Sequence, residues 1–148
     1  MASESSGIKD LINSLETISE KKKILIIDDD PGYINLIRGW LRDDYKVFMS
    51  TSGDMALDWL AGNSTDLILL DFEMPDYKGP EMLARIRESE NKKPDNSHHT
   101  PIIYITGNES SEIEISIASN ENAPKPDGCI FKTIGRDTLL RTIPNYIK

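Results

Sequence analysis

Four apolar runs in this 148-residue chain break off at residues that can do chemistry. Ile24–Ile27 leads into Asp28, Asp29 and Asp30, Leu67–Leu70 into Asp71, Ile102–Ile105 into Thr106, and Gly128–Phe131 into Lys132. Carboxylates brought together repel one another unless a cation joins them. Hard divalent ions such as Mg2+ or Mn2+ prefer oxygen ligands of this kind, and Mg2+ keeps several of its waters. An ammonium beside such a cluster can neutralise a phosphoryl oxygen, and a threonine hydroxyl can hydrogen-bond another. A carboxylate whose charge is screened by a metal is an adequate nucleophile towards phosphorus.

These residues can meet only if the runs are neighbouring strands of one sheet. Continuous apolar runs suit strands buried on both faces. Helical periodicity separates them, with Ile34, Ile37, Trp40 and Leu41, then Ala56, Leu57, Leu60 and Ala61, then Met82, Leu83 and Ile86. Tyr45–Met49 reads as a further strand, and Leu139, Leu140 and Ile143 mark a last helix from about Arg136. Asp30-Pro31 and Ser52 are suitable helix starts, Gly79-Pro80 opens another helix, and Gly62 is a suitable stop. Five βα repeats imply an α/β fold, a doubly wound five-stranded parallel sheet with helices on both faces. Ligands of open parallel sheets bind beyond the carboxyl ends of the strands, where all the residues named above fall.

The less regular segments carry weaker expectations. Residues 1–22 form an N-terminal extension to a domain of residues 23–148. The stripe Ile8, Leu11, Ile12, Leu15 and Ile18 predicts an amphipathic helix over about Ser5–Glu20 that must dock on this domain or on another chain. Glu88–Thr100 reads as a polar loop, and Pro124–Gly128 as a second. In Ser110–Ser119, Ser111 with Glu114 makes a capping box while Ile113, Ile115 and Ile117 alternate like a strand. Its place in the order favours a helix. Pro144 should kink or end the last helix. Cys129 is expected in the core, and His98 and His99 in solvent.

Composition narrows the function classes. With 38% hydrophobic and 28% charged residues the chain is ordinary globular material. Lys plus Arg number 17 and Asp plus Glu 25, a net charge of −8. That charge, with no basic stripe, argues against direct nucleic-acid contact and against a basic membrane-surface helix. No apolar run approaches the roughly 20 residues of a membrane span. The start of the chain does not read as a secretory signal. A cytoplasmic setting is expected, and the one cysteine fits it.

The segment Ile24-Leu-Ile-Ile-Asp-Asp-Asp-Pro31 resembles the first strand and acidic pair of response-regulator receiver domains. Leu67-Ile-Leu-Leu-Asp-Phe-Glu-Met-Pro75, followed by Gly79, resembles their phosphorylation strand and loop. Ile102-Ile-Tyr-Ile-Thr-Gly107 and Ile130-Phe-Lys132 resemble the segments bearing their hydroxyl and lysine. The resemblance covers about Lys23 to Lys148 and implies a flavodoxin-like (β/α)5 receiver fold. It implies Asp71 as phosphoacceptor, and Mg2+ or Mn2+ held by Asp29, Asp71, the Glu73 backbone carbonyl and Asp28, the last directly or through water. Thr106 and Lys132 would then engage the phosphoryl group, and the Glu73 side chain would modulate its lifetime. The implied donor is a phosphohistidine on a histidine kinase or histidine phosphotransfer protein. The chain would assist its own phosphorylation and dephosphorylation without being an enzyme in the ordinary sense. The implied output is a homodimer or effector contact through the last helix-strand-helix face.

The chain also departs from that pattern. Thr133 stands where proline usually follows the lysine, and Cys129 where an aromatic switch residue usually stands. A trans Lys132–Thr133 bond is expected, because a non-proline cis bond costs about 2.5–4 kcal/mol. Two other readings compete. One is a receiver-like interaction module that is not phosphorylated. The other is a haloacid dehalogenase-type phosphatase with Asp28 as nucleophile and Asp30 as acid/base, which leaves Asp71 unexplained.

Overall fold

The computed structural model describes residues 7–12, 21–93, 99–107 and 123–147. Five strands form one sheet: β1 Lys23–Ile27, β2 Lys46–Ser50, β3 Leu67–Asp71, β4 Ile102–Thr106 and β5 Gly128–Phe131. All pairings are parallel, in the order β2-β1-β3-β4-β5. Apart from a helical stretch at residues 7–12, the described helices are α1 Pro31–Leu41, α2 Gly53–Gly62, α3 Gly79–Asn91 and α4 Arg136–Thr142, the last running into a 3-10 turn at Ile143–Asn145.

Alternation along the strands divides the core into two layers. Leu25, Ile27, Ile68, Leu70, Ile102 and Tyr104 face Ala56 and Leu60 of α2 and Met82, Leu83 and Ile86 of α3. Ile24, Ile26, Leu67, Leu69, Ile103 and Ile105 face Ile34 and Ile37 of α1 and Leu139 of α4. The sheet is thus covered on both faces, which is why its central strands are continuously apolar between their ends, over Ile24–Ile27, Leu67–Leu70 and Ile102–Ile105. Register does the rest. Ile27 pairs with Leu70, so Asp28 and Asp71 leave the sheet side by side, and Asp71 pairs with Ile105 next to Thr106. Thr106 pairs with Phe131, the residue before Lys132.

Several expectations are met in local detail. Asp30 caps α1, its Oδ1 accepting from the Gly32 and Tyr33 N–H groups at 2.9 and 3.3 Å, with Pro31 in the first turn. Ser52 caps α2 through Met55 N–H. Pro144 lies in the 3-10 turn beyond α4, and the Lys132–Thr133 bond is trans. His99 is exposed, while His98 lies outside the described residues.

Three expectations are corrected or cut short. Helix α3 runs to Asn91, into the stretch read as a polar loop. Its last turns are held by the buried Arg87, which bonds Glu90 at 2.9 Å and the Thr100 carbonyl at 2.7 Å. Cys129 is exposed, not buried. Its neighbour Ile130 takes the inward position of edge strand β5, so pleat alternation turns Cys129 and Phe131 to the other face. Among the described residues no helix covers that face of β5. Residues 7–12 are helical with Ile8, Leu11 and Ile12 exposed, whereas Leu15, Ile18 and the Ser110–Ser119 segment lie outside the described residues. No described helix is long and apolar enough to cross a membrane.

Candidate functional site

The carboxyl ends of β1, β3, β4 and β5 bring together Asp28, Asp29, Asp71, Thr106 and Lys132. One carboxylate oxygen from each of Asp28, Asp29 and Asp71 lies within 4.8 Å of the others. Asp28 is fully buried and Asp71 nearly so, while Asp29 faces solvent. Asp28 Oδ1 accepts from Asp30 N–H at 2.9 Å, and the Asp28 backbone N–H donates to Ser50 O at 3.0 Å. Asp71 Oδ1 accepts from Glu73 N–H at 3.2 Å. Each acid is therefore anchored through one oxygen by a backbone N–H.

Lys132 stands over the pair. Its Nζ is 2.9 Å from Asp28 Oδ2 and 3.7 Å from Asp71 Oδ2, so the tighter partner is Asp28. The Asp28 contact is an ion pair outside good hydrogen-bond alignment, which leaves Oδ2 with capacity for a second partner. Burial alone would lower the Lys132 pKa. The close contact with Asp28 and the charges of Asp71, Asp28 and Asp29 outweigh burial and hold it above its ordinary value. The lysine backbone is pinned as well, since Lys132 N–H donates to Thr106 O at 2.8 Å. Thr106 itself is buried at the end of β4.

Asp71 is pushed up to about 7, first by burial and then by the Asp28 charge, with the Asp29 carboxyl adding to both. Glu73 N–H and Lys132 pull it back only in part. Burial and like charge thus disfavour the ionised form, and a cation held by these carboxylates would offset both. Mg2+ bonds of roughly 2.1 Å in an octahedral shell put neighbouring ligand oxygens about 3–4 Å apart. One oxygen from each of the three carboxylates lies within 4.8 Å of the others, so modest side-chain adjustment reaches that spacing. The Glu73 carbonyl lies in the loop directly after Asp71. The Glu73–Lys78 bridge is closed by Gly79 N–H donating to Phe72 O at 2.8 Å and so does not use that carbonyl. The donor set thus fits a hard divalent cation.

Sequence reasoning missed one member of the site. Tyr33, in the first turn of α1, lies with its ring centroid 4.8 Å from Lys132 Nζ. Its hydroxyl is buried without a hydrogen-bond partner among the described residues, and burial, then Asp28 and Asp71, push it up to about 12. Helical spacing read Ile34 and Ile37 as the buried face, and nothing in the pattern marked the residue before them. Asp30 does not face the cluster as an acid/base would, since its carboxylate is engaged as the α1 cap.

The chain is similar in sequence and in fold to known proteins. The family profile described as response regulator receiver domain matches residues 24–144. A probable cyclic di-GMP phosphodiesterase of Vibrio cholerae is 35% identical over 101 residues, covering 68% of this chain and 22% of that protein. The transcriptional regulatory protein CpxR of Escherichia coli is 32% identical over 109 residues, covering 70% of this chain and 43% of that protein. The chain therefore spans less than half the length of these curated relatives. Among solved structures, the Vibrio cholerae chemotaxis protein CheY4 matches with a TM-score of 0.71 at 25% identity, over 86% of this chain and 99% of that one. A CheY-like response regulator receiver domain protein of Methanospirillum hungatei matches with a TM-score of 0.68 at 24% identity, over 85% of this chain and 93% of that one.

Proposed function

The chain belongs to the response regulator receiver domain family of two-component signalling, and from that premise we propose that Asp71 is its phosphoacceptor. The observation that carries the proposal is the place of Asp71. It is buried at the end of β3, within 4.8 Å of the Asp28 and Asp29 oxygens and 3.7 Å from the Lys132 ammonium.

The donor is a phosphohistidine on a histidine kinase or a histidine phosphotransfer protein. A carboxylate oxygen of Asp71 forms a bond to phosphorus as the P–N bond of the donor breaks. The imidazole nitrogen leaves with the electron pair and takes up a proton. Asp28, Asp29, Asp71 and the Glu73 carbonyl would hold Mg2+ or Mn2+. When bound, the cation screens the carboxylate from the phosphoryl oxygens it approaches. Lys132 balances charge on the acyl phosphate, and Thr106 hydrogen-bonds one of its oxygens. The exposed Glu73 side chain modulates hydrolysis from the rim. In this reading the chain assists its own phosphorylation and dephosphorylation and has no separate substrate. It acts in the cytoplasm as a 23–148 receiver domain with a 1–22 extension. The added charge biases a surface around β5 and α4 towards a second copy or an effector.

The test is incubation of the full chain with acetyl phosphate and Mg2+, followed by mass spectrometry. One phosphoryl group on Asp71, lost in a folded Asp71→Asn variant, is the expected result. Modification at Asp28, or unchanged labelling of Asp71→Asn, overturns the assignment.

A further inference from the structure

The loop between β3 and α3 carries the Glu73 carbonyl, and it is fastened to an element that contributes no ligand, the amino end of α2. Asp76 sits in this loop. Its Oδ1 accepts from Gly53 N–H and its Oδ2 from Asp54 N–H, each at 3.2 Å. A helix start leaves N–H groups without intrahelical partners. Here Ser52 Oγ takes Met55 N–H at 3.1 Å and Asp76 takes the two before it. Helix α2 is therefore capped jointly by its own serine and by a carboxylate from the loop. A carboxylate at this end is also favoured by the helix dipole.

Tyr77 closes the same joint. Its hydroxyl donates to Asp54 Oδ1 at 2.6 Å, and Arg85 lies 5.5 Å over its ring. The ring occupies space that only glycine leaves open, since a Cβ on Gly53 would fall 2.4 Å from Tyr77 Cδ2. The base of the loop is pinned separately by Gly79 N–H to Phe72 O. Glu73 thus lies between a fixed base and a fixed tip.

We propose that Asp76 and Tyr77 are positioning residues that clamp the loop to α2 and so hold the Glu73 carbonyl in place for the divalent cation. The inference rests on the metal site proposed above. Asp28 and Asp71 stand at strand ends, and Asp29 and Glu73 each lie two residues beyond one. Asp29 is in the short connection 28–30 and Glu73 in the longer connection 72–78, so Glu73 is the proposed ligand on the longer loop. Mg2+ demands near-octahedral placement, so freedom in that one ligand is the freedom that most weakens binding.

The experiment is calorimetric Mg2+ titration of the full chain and its variants, with thermal melts in EDTA alongside. Asp76→Ala should raise the Mg2+ Kd about tenfold, as loss of a residue supporting a ligand does. Tyr77→Phe removes no charge and should weaken binding in the same direction by less. Ser52→Ala removes a cap from the same helix without touching the loop. It should lower the Tm much as Asp76→Ala does while leaving the Kd at the parent's value. If Asp76→Ala does not fold, Tyr77→Phe against Ser52→Ala gives the same comparison. The clamp is overturned if Asp76→Ala and Tyr77→Phe both bind like the parent. It is equally overturned if only Asp76→Ala weakens binding and added salt abolishes its effect, which is long-range charge rather than positioning. In both cases tight binding by the parent and its loss in Asp71→Asn leave the metal site standing. A parent that does not bind Mg2+ overturns site and clamp together.

Discussion

Ionised Asp71 is expensive in metal-free protein, and stability should record the expense. Its folded pKa, about 7, lies above its ordinary 3.8. Between those values the folded state holds a proton that the unfolded chain has released, so unfolding free energy falls as pH rises. The contribution is complete below about 4 and gone above about 7. Mg2+ binds the ionised form and releases the proton, so its affinity should climb through the same window and level off above it. Urea denaturation across this range, in EDTA and in millimolar Mg2+, checks both trends. Asp71→Asn should flatten the EDTA profile there, and an unchanged profile would place the titration on another group. At this scale the acidic cluster, Thr106 and Lys132 were legible in the sequence, because each ends an apolar run and parallel strands align their ends. The preference of Lys132 for Asp28 was not legible, nor was the stacking of Tyr33, since both depend on side-chain reach rather than on spacing.

Helix α3 owes its last turns to one buried cation. Arg87 bonds Glu90, the Thr100 carbonyl and, at 3.2 Å, Asp127 Oδ2, which also accepts from Ile102 N–H. One side chain therefore joins α3 to the entries of β4 and β5. Arg87→Met keeps the apolar stem and deletes the charge, leaving Glu90 and Asp127 without their shared guanidinium. A loss of about 2–3 kcal/mol is expected from urea denaturation. That is below the 3–5 typical of a fully buried pair because Asp127 is partly exposed. A loss within about 0.5 kcal/mol, as at ordinary surface sites, would show that the network contributes little. The same residue explains why the end of α3 was misread. Glu88, Ser89, Glu90 and Asn91 form a polar outer turn whose composition is that of a loop, and the contacts that keep it helical lie far along the chain. The Asp76 cap on α2 was hidden in the same way, whereas the local caps Asp30 and Ser52 could be read directly.

At the scale of the whole molecule, the alternation of apolar runs with helical stripes was enough to give the doubly wound sheet. The exposure of Cys129 was not, because which face of an edge strand is covered depends on neighbours, not on the strand's own composition. The all-parallel order has a further consequence, in time. No two neighbouring strands are joined by a hairpin, so every pairing must close a long loop before contact rewards it. Asp28, Asp29, Asp71 and Glu73, the proposed Mg2+ ligands, come together when β1 pairs with β3 across the intervening α1, β2 and α2, and Thr106 and Lys132 join them only with β4 and β5. That crossover is expected to close late, so that binding energy gained there arrives after the rate-limiting barrier to folding. Mg2+ should therefore slow unfolding and leave the refolding rate almost unchanged. In stopped-flow chevrons only the unfolding limb should move with the cation. A matching shift of the refolding limb would mean that these strand ends already meet in the transition state.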